Sequence, residues 1–201
     1  MHPTQTIQTE ADTPAQTLDA LQPHAELKRI VLTGFMGAGK TTVGRLLAER
    51  LGWSFIDLDA YLEEREGLSV PEIFARHGEA YFRQRESRAL ASVLGRSHVV
   101  LALGGGTPEI LTNRLLLEQT PGTTTVFLNA PFPALYDRCV LQAIVRPVLS
   151  DPALAEARFR ERQPLYRRLA RHTVDTADQT AETTTQTLLA KLCSADAALL
   201  R

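Results

Sequence analysis

Arg29-Ile30-Val31-Leu32-Thr33-Gly34-Phe35-Met36-Gly37-Ala38-Gly39-Lys40-Thr41-Thr42 runs from a short apolar segment through a glycine-rich turn into a helical pattern. Within it, Gly34 to Thr41 fits GxxxxGK[ST], with a strand before it and a helix after it, the context such a motif requires. The glycines allow positive φ and let successive N–H groups turn toward one point. The helix that begins there adds partial positive charge. The stretch therefore reads as a phosphate-binding loop. Lys40 is expected to reach the β- and γ-phosphates of a nucleotide, and the Thr41 hydroxyl to bind Mg²⁺. Gly37, Ala38, Gly39, Lys40, Thr41 and Thr42 form the candidate nucleotide-binding set. Four fixed positions match by chance in on the order of one chain in a hundred, and the flanking strand and helix lower that further. The loop alone does not distinguish ATP from GTP.

Outward from this loop, short β-branched runs alternate with helical stretches. Arg29–Thr33, Ser54–Leu58, Val99–Leu103, Thr123–Leu128 and His172–Asp175 read as strands. Thr42–Leu51, Pro71–His77, Ala80–Leu94, Pro108–Glu118, Pro131–Cys139, Ala153–Ala170 and Thr180–Leu192 read as helices. The alternation predicts an α/β fold with a parallel sheet and helices on both faces, and does not reveal the strand order. Asp57 and Asp59, two apart at the end of the second strand, are expected to project to one face. Ligands of open α/β sheets bind beyond the carboxyl ends of the strands. One acid can hold Mg²⁺ through water, and the other can accept a hydrogen bond from a nucleophilic hydroxyl. The competing reading of Asp59 is a helix N-cap.

Composition narrows the field. The 201 residues suffice for one domain. The formal charge of −1 gives no basic field for nucleic acid or anionic lipid. No apolar run approaches the roughly 18 residues of a membrane span. Cys139 and Cys193 form no CxxC pair and suit a reducing cytosol. Residues 1–26 are rich in Thr, Gln, Pro and Ala, without aromatic residues, and read as a flexible N-terminal extension to a domain over 27–201. They lack the long apolar core of a secretory signal.

GFMGAGKTTVGRLLAERLG, FIDLDAYLEEREGLSVPEIFARHGEAYFRQRE, LALGGGT, and finally RP and RQPLYRRLA occur in that order. Together they resemble the shikimate kinase family from about Lys28 to the last helix. The resemblance implies a three-layer P-loop kinase fold with a five-stranded sheet in the order 2-3-1-4-5. It also implies a substrate-binding segment over about 59–87 and a lid over about 140–152. It implies that ATP phosphorylates the 3-hydroxyl of shikimate, with Asp57 as the water-mediated magnesium partner and Asp59 as substrate ligand and base. Arg83 and Arg162 would grip the substrate carboxylate, and Glu86 would orient Arg83. Gly104, Gly105 and Gly106 would approach the ring hydroxyls, Arg138 would lie over the adenine, and Arg146 would meet the phosphates as a lid residue. A cytoplasmic monomer acting in aromatic amino-acid biosynthesis is the accompanying expectation.

The residues themselves agree with this. A guanidinium fork pairs with a carboxylate through two parallel hydrogen bonds, so two arginines give a small acid both affinity and orientation. The competing readings are that Arg83 and Glu86 are a surface helix pair, that Arg138 and Arg162 are solvated, and that the three glycines are only a flexible turn. The stretch Val140 to Val145 departs from the family in being largely apolar, which leaves more of the phosphate contact to Arg146. A gluconate-type sugar-acid kinase is the alternative; a nucleoside monophosphate kinase and a nucleotide-dependent switch are further rivals.

Overall fold

Residues 26–141 and 151–194 are described by the computed structural model. Nearly all of the expected extension and most of the expected lid, including Arg146, lie outside the described residues.

Arg29–Thr33 (β1) is buried along its whole length because it is the central strand. Ser54–Asp57 (β2), Val99–Ala102 (β3), Thr123–Asn129 (β4) and His172–Asp175 (β5) complete a parallel sheet in the order β2-β3-β1-β4-β5. This is the order that the resemblance implied and the periodicity could not supply. Strand side chains alternate between faces. Ile30 and Leu32 therefore join one apolar cluster, with Val43 and Leu47 of helix α1 (Lys40–Leu51) and Leu188 of helix α7 (Ala181–Ser194). Val31 and Leu101 join the other, with Leu90 and Val93 of α3 (Val70–Leu94) and Leu117 of α4 (Leu111–Gln119). Helices α2 (Leu58–Glu66), α5 (Phe132–Leu141) and α6 (Pro152–Leu169) complete the α-helices among the described residues.

Several boundaries differ from expectation for local reasons. The second strand stops at Asp57, whose carboxylate accepts hydrogen bonds from the Asp59 and Ala60 N–H groups. Asp57, not Asp59, is thus the N-cap, and Asp59 sits in the first turn of α2 rather than on a shared strand face. Pro71–His77 and Ala80–Leu94 are parts of one span that bends at Gly78, where φ is 78° and ψ 175°. The span opens with a capping box between Ser69 and Glu72. The expected helix over Pro108–Glu118 is a 3-10 turn, Thr107–Glu109, followed by α4.

At the amino-terminal end of the sheet, Arg29 is only 8% exposed. Its guanidinium donates to Thr123 Oγ1 (3.1 Å), the Arg96 carbonyl (2.9 Å) and the Pro121 carbonyl (3.0 Å), tying β1 to the segments before β3 and β4. Arg29→Met would leave two carbonyls without this donor. Stability should fall by about 2–4 kcal/mol, seen as a Tm lower by about 5–15 °C. Because this clamp lies at the end of the sheet opposite the glycine-rich turns, the folded variant should keep its kcat/KM; a loss of turnover at unchanged Tm would contradict a purely structural role.

Candidate active site

The loop after β1 has the geometry its sequence demands. Gly34, Gly37 and Gly39 take φ of 145°, 77° and 87°. A Cβ on Gly37 would strike the Leu135 carbonyl and come within 3.0 Å of Cys139 Sγ. Helix α1 follows with no side-chain cap, so no side chain competes for its first amide donors. The Lys40 ammonium donates to the carbonyls of Gly34 (2.9 Å) and Phe35 (3.0 Å). Thr41 Oγ1 donates to Asp57 Oδ2 at 2.8 Å, joining the loop after β1 to the end of β2. Ala38 is buried within the loop and Thr42 is exposed in the first turn of α1. Arg138, from α5, donates to the carbonyls of Gly37 (3.5 Å), Thr176 and Ala177 (2.8 Å), so it links the phosphate loop to the segment after β5.

A second constellation gathers around Gly104, Gly105 and Gly106, just beyond β3. A Cβ on Gly104 would lie 2.8 Å from Asp59 Oδ1 and 3.0 Å from Glu86 Oε1. A Cβ on Gly106 would overlap the Arg83 guanidinium. These glycines are needed because carboxylates and a guanidinium press directly on the backbone. Arg83 Nη1 donates to Glu86 Oε2 at 2.9 Å, and Arg83 also meets Glu79 and Glu109. Glu86 is 1% exposed, so this is no surface pair. Its other oxygen accepts from Thr107 Oγ1 at 2.6 Å. Arg162 donates to Glu109 through Nε (3.2 Å) and Nη2 (3.0 Å). The Tyr166 hydroxyl, fully buried, donates to the Gly105 carbonyl at 2.6 Å and pins the turn.

Burial pushes the Tyr166 hydroxyl well above its ordinary value. It also raises the Glu86 carboxyl, with the charge of Asp59 adding to it, against the opposing pull of Thr107 and Arg83. Burial by itself lowers Arg83, but the carboxylates of Glu86, Glu109 and Glu79 outweigh it and the net direction is upward.

Asp59, Arg83, Glu86, the three glycines and Arg162 are therefore brought together. Lys40, Thr41 and Asp57 lie together beside them, with Arg138 on the far side of the loop. Thr107, Glu109 and Tyr166 belong to the same cluster and were not singled out by residue pattern. Tyr166 falls inside the RQPLY segment, whereas Glu109 carried no signal. The family model for shikimate kinase matches residues 36–193. The chain belongs to the shikimate kinase family. It is 42% identical over 167 residues to the shikimate kinase of Nitrosomonas europaea, covering 81% of this chain and 77% of that one. The structure of the shikimate kinase from Acinetobacter baumannii in complex with shikimate is 37% identical, with a TM-score of 0.79, over 85% of this chain and 95% of that one. A gluconokinase from Sinorhizobium meliloti, 22% identical with a TM-score of 0.59 over 86% of this chain and 95% of that one, shares the fold.

The folded chain holds the Glu86 proton more tightly than the unfolded chain does. The stability contributed by this group is full below its ordinary value of 4.5 and is lost as pH rises through the raised value. Glu86→Gln removes that dependence. The Tm difference, variant minus wild type, should move in the variant's favour as pH goes from 4.5 to about 7. A difference that falls with pH would mean that attraction to Arg83 outweighs burial.

Proposed function

We propose that this chain transfers the γ-phosphoryl group of ATP to the 3-hydroxyl of shikimate, giving shikimate 3-phosphate and ADP on the route to aromatic amino acids. The observation that carries this reading is the convergence of two guanidinia, Arg83 and Arg162, on a glycine turn beside Asp59, next to a phosphate loop. A hydroxyl acid held by its carboxylate at the arginines presents its ring toward Asp59.

Asp59 positions the attacking hydroxyl and accepts its proton. Glu86, fixed by Thr107, orients Arg83. Lys40 neutralises charge on the phosphates, and Arg146 is assigned to the same task by the family resemblance. Gly37, Ala38, Gly39, Thr41 and Thr42 cradle the phosphates from below through backbone and hydroxyl donors. Arg138, which donates to the Gly37 carbonyl of that loop, is assigned to the adenine by the family resemblance.

Thr41 Oγ1 and Asp57 Oδ2, 2.8 Å apart, are two hard oxygen donors at the mouth of the loop, the donor chemistry that Mg²⁺ prefers. Thr41 would hold the ion directly and Asp57 through water; bound there, Mg²⁺ supplies charge neutralisation for the phosphates. The acceptor-binding role falls to residues about 59–87, where Asp59, Arg83 and Glu86 lie. No helix among the described residues is long and apolar enough to cross a membrane. A cytoplasmic monomer that uses neither nucleic acid nor a membrane completes the proposal.

A coupled ADP-release assay with shikimate, gluconate or no acceptor tests the substrate. ADP release should depend on shikimate; release supported equally by gluconate, or by no acceptor, would contradict the reading. In the same assay Arg83→Ala leaves a desolvated substrate carboxylate short of a partner. It should cost ~2–5 kcal/mol, or roughly 30- to several-thousand-fold in kcat/KM. Lys40→Ala should abolish transfer while circular dichroism shows the fold intact.

A further inference from the structure

The two arginines assigned to the acceptor already hold a carboxylate. Glu109 presents both oxygens to Arg162: Oε1 accepts from Nε at 3.2 Å and Oε2 from Nη2 at 3.0 Å. Oε2 also accepts from Arg83 Nη2 at 3.4 Å. One side chain thus makes the paired fork and the bridge between guanidinia expected of a bound acid. The side chains of Arg83 and Arg162 are 16% and 12% exposed, and that of Glu109 is 27% exposed, so Glu109 is the most open of the three.

The backbone beneath Glu109 is fixed. Its N–H donates to the Gly106 carbonyl at 2.9 Å, and its own carbonyl accepts from Arg114 at 3.0 Å. Thr107, two residues earlier, is anchored by its hydroxyl to Glu86 at 2.6 Å and by its carbonyl to Asn113 at 3.1 Å. Pro108 stiffens the turn between them. The backbone here is tied on both sides, whereas the Glu109 side chain has three rotatable bonds and an exposed edge. Glu86 differs: it is buried, holds Thr107 as well as Arg83, and cannot leave without unmaking the turn.

Charge decides what happens when an acid arrives. A second carboxylate at the same two guanidinia would face Glu109 across a few ångströms in a site already carrying Glu86 and Asp59, and like charges so placed disfavour one another. We propose that Glu109 is an internal placeholder for the acceptor's carboxylate, bridging Arg83 and Arg162 in the free enzyme and displaced by the substrate. This rests on the reading that these two arginines bind the acceptor. It makes the site selective for acids, because a neutral polyol cannot take over both guanidinia from Glu109. It also lowers apparent affinity, since only the fraction of molecules with Glu109 swung away is competent to bind.

Glu109→Gln keeps the size of the side chain and removes the competing charge. Its KM for shikimate should fall by roughly 5- to 20-fold relative to wild type, with the KM for ATP unmoved. An unchanged or raised KM for shikimate would overturn the placeholder and make Glu109 a fixed support of Arg162. Wild-type turnover is measured first: absence of shikimate-dependent ADP release sinks the acceptor reading itself, whereas normal wild-type turnover with an unimproved variant sinks only the placeholder. A crystal structure of the wild-type enzyme with shikimate gives a readout that needs no variant. Glu109 withdrawn from both arginines supports displacement, and Glu109 still 3.0 Å from Arg162 beside the bound substrate contradicts it.

Discussion

Parallel pairing of β3 between β1 and β2 is the constraint from which the site follows. In register, Leu32 of β1 and Asp57 of β2 both lie level with Ala102 of β3. The three chains then leave the sheet side by side, into the phosphate loop, the first turn of α2 and the triple-glycine turn. Hydrogen bonding of the strands thereby sets the phosphate loop next to the start of α2 and the triple-glycine turn, while Arg83 and Arg162 reach that turn from α3 and α6. The Thr41–Asp57 hydrogen bond closes the seam between the first two.

The cluster around the triple-glycine turn is held by interlocking charges. Glu86 sits almost without solvent, and Thr107 and Arg83 each donate to one of its oxygens, offsetting part of the cost of burial. Through those same bonds it fixes the 3-10 turn and aims Arg83. Tyr166 does the corresponding task for Gly105 from α6, and Arg162, one helical turn earlier, faces the same loop. With Glu86 and Tyr166 buried beneath the turn, the partly exposed Glu109 side chain is the element that we propose adjusts.

The sequence showed the phosphate loop plainly because a glycine pattern, a strand and a helix all constrain the same residues. It showed the five strands to within a residue or so at most ends, since each buried run is short and bounded by turn residues. The sheet order had to come from the family resemblance: local periodicity contains no record of which strands pair. Asp57 does end the second strand as expected, but Asp59 belongs to α2 and not to the strand, since Asp57 caps that helix and two-residue alternation no longer applies. Glu109 was invisible for a related reason. It lies in a turn with no period, and its partner Arg162 is 53 residues away. At three-residue spacing Arg83 and Glu86 also fit an ordinary helix pair; only burial separates the two meanings, and burial of a charged residue is a property of the assembled fold.

The central claim is that donor and acceptor are held side by side at the carboxyl end of the sheet, so that the phosphoryl group passes between them in a single in-line displacement. The stereochemical course of transfer tests this directly, using ATP made chiral at a γ-thiophosphate and shikimate as acceptor. Inversion at phosphorus is the predicted result. Retention would require two successive displacements through an intermediate on the protein, and would contradict the proposal that Asp59 serves the hydroxyl and that no side chain takes the phosphoryl group.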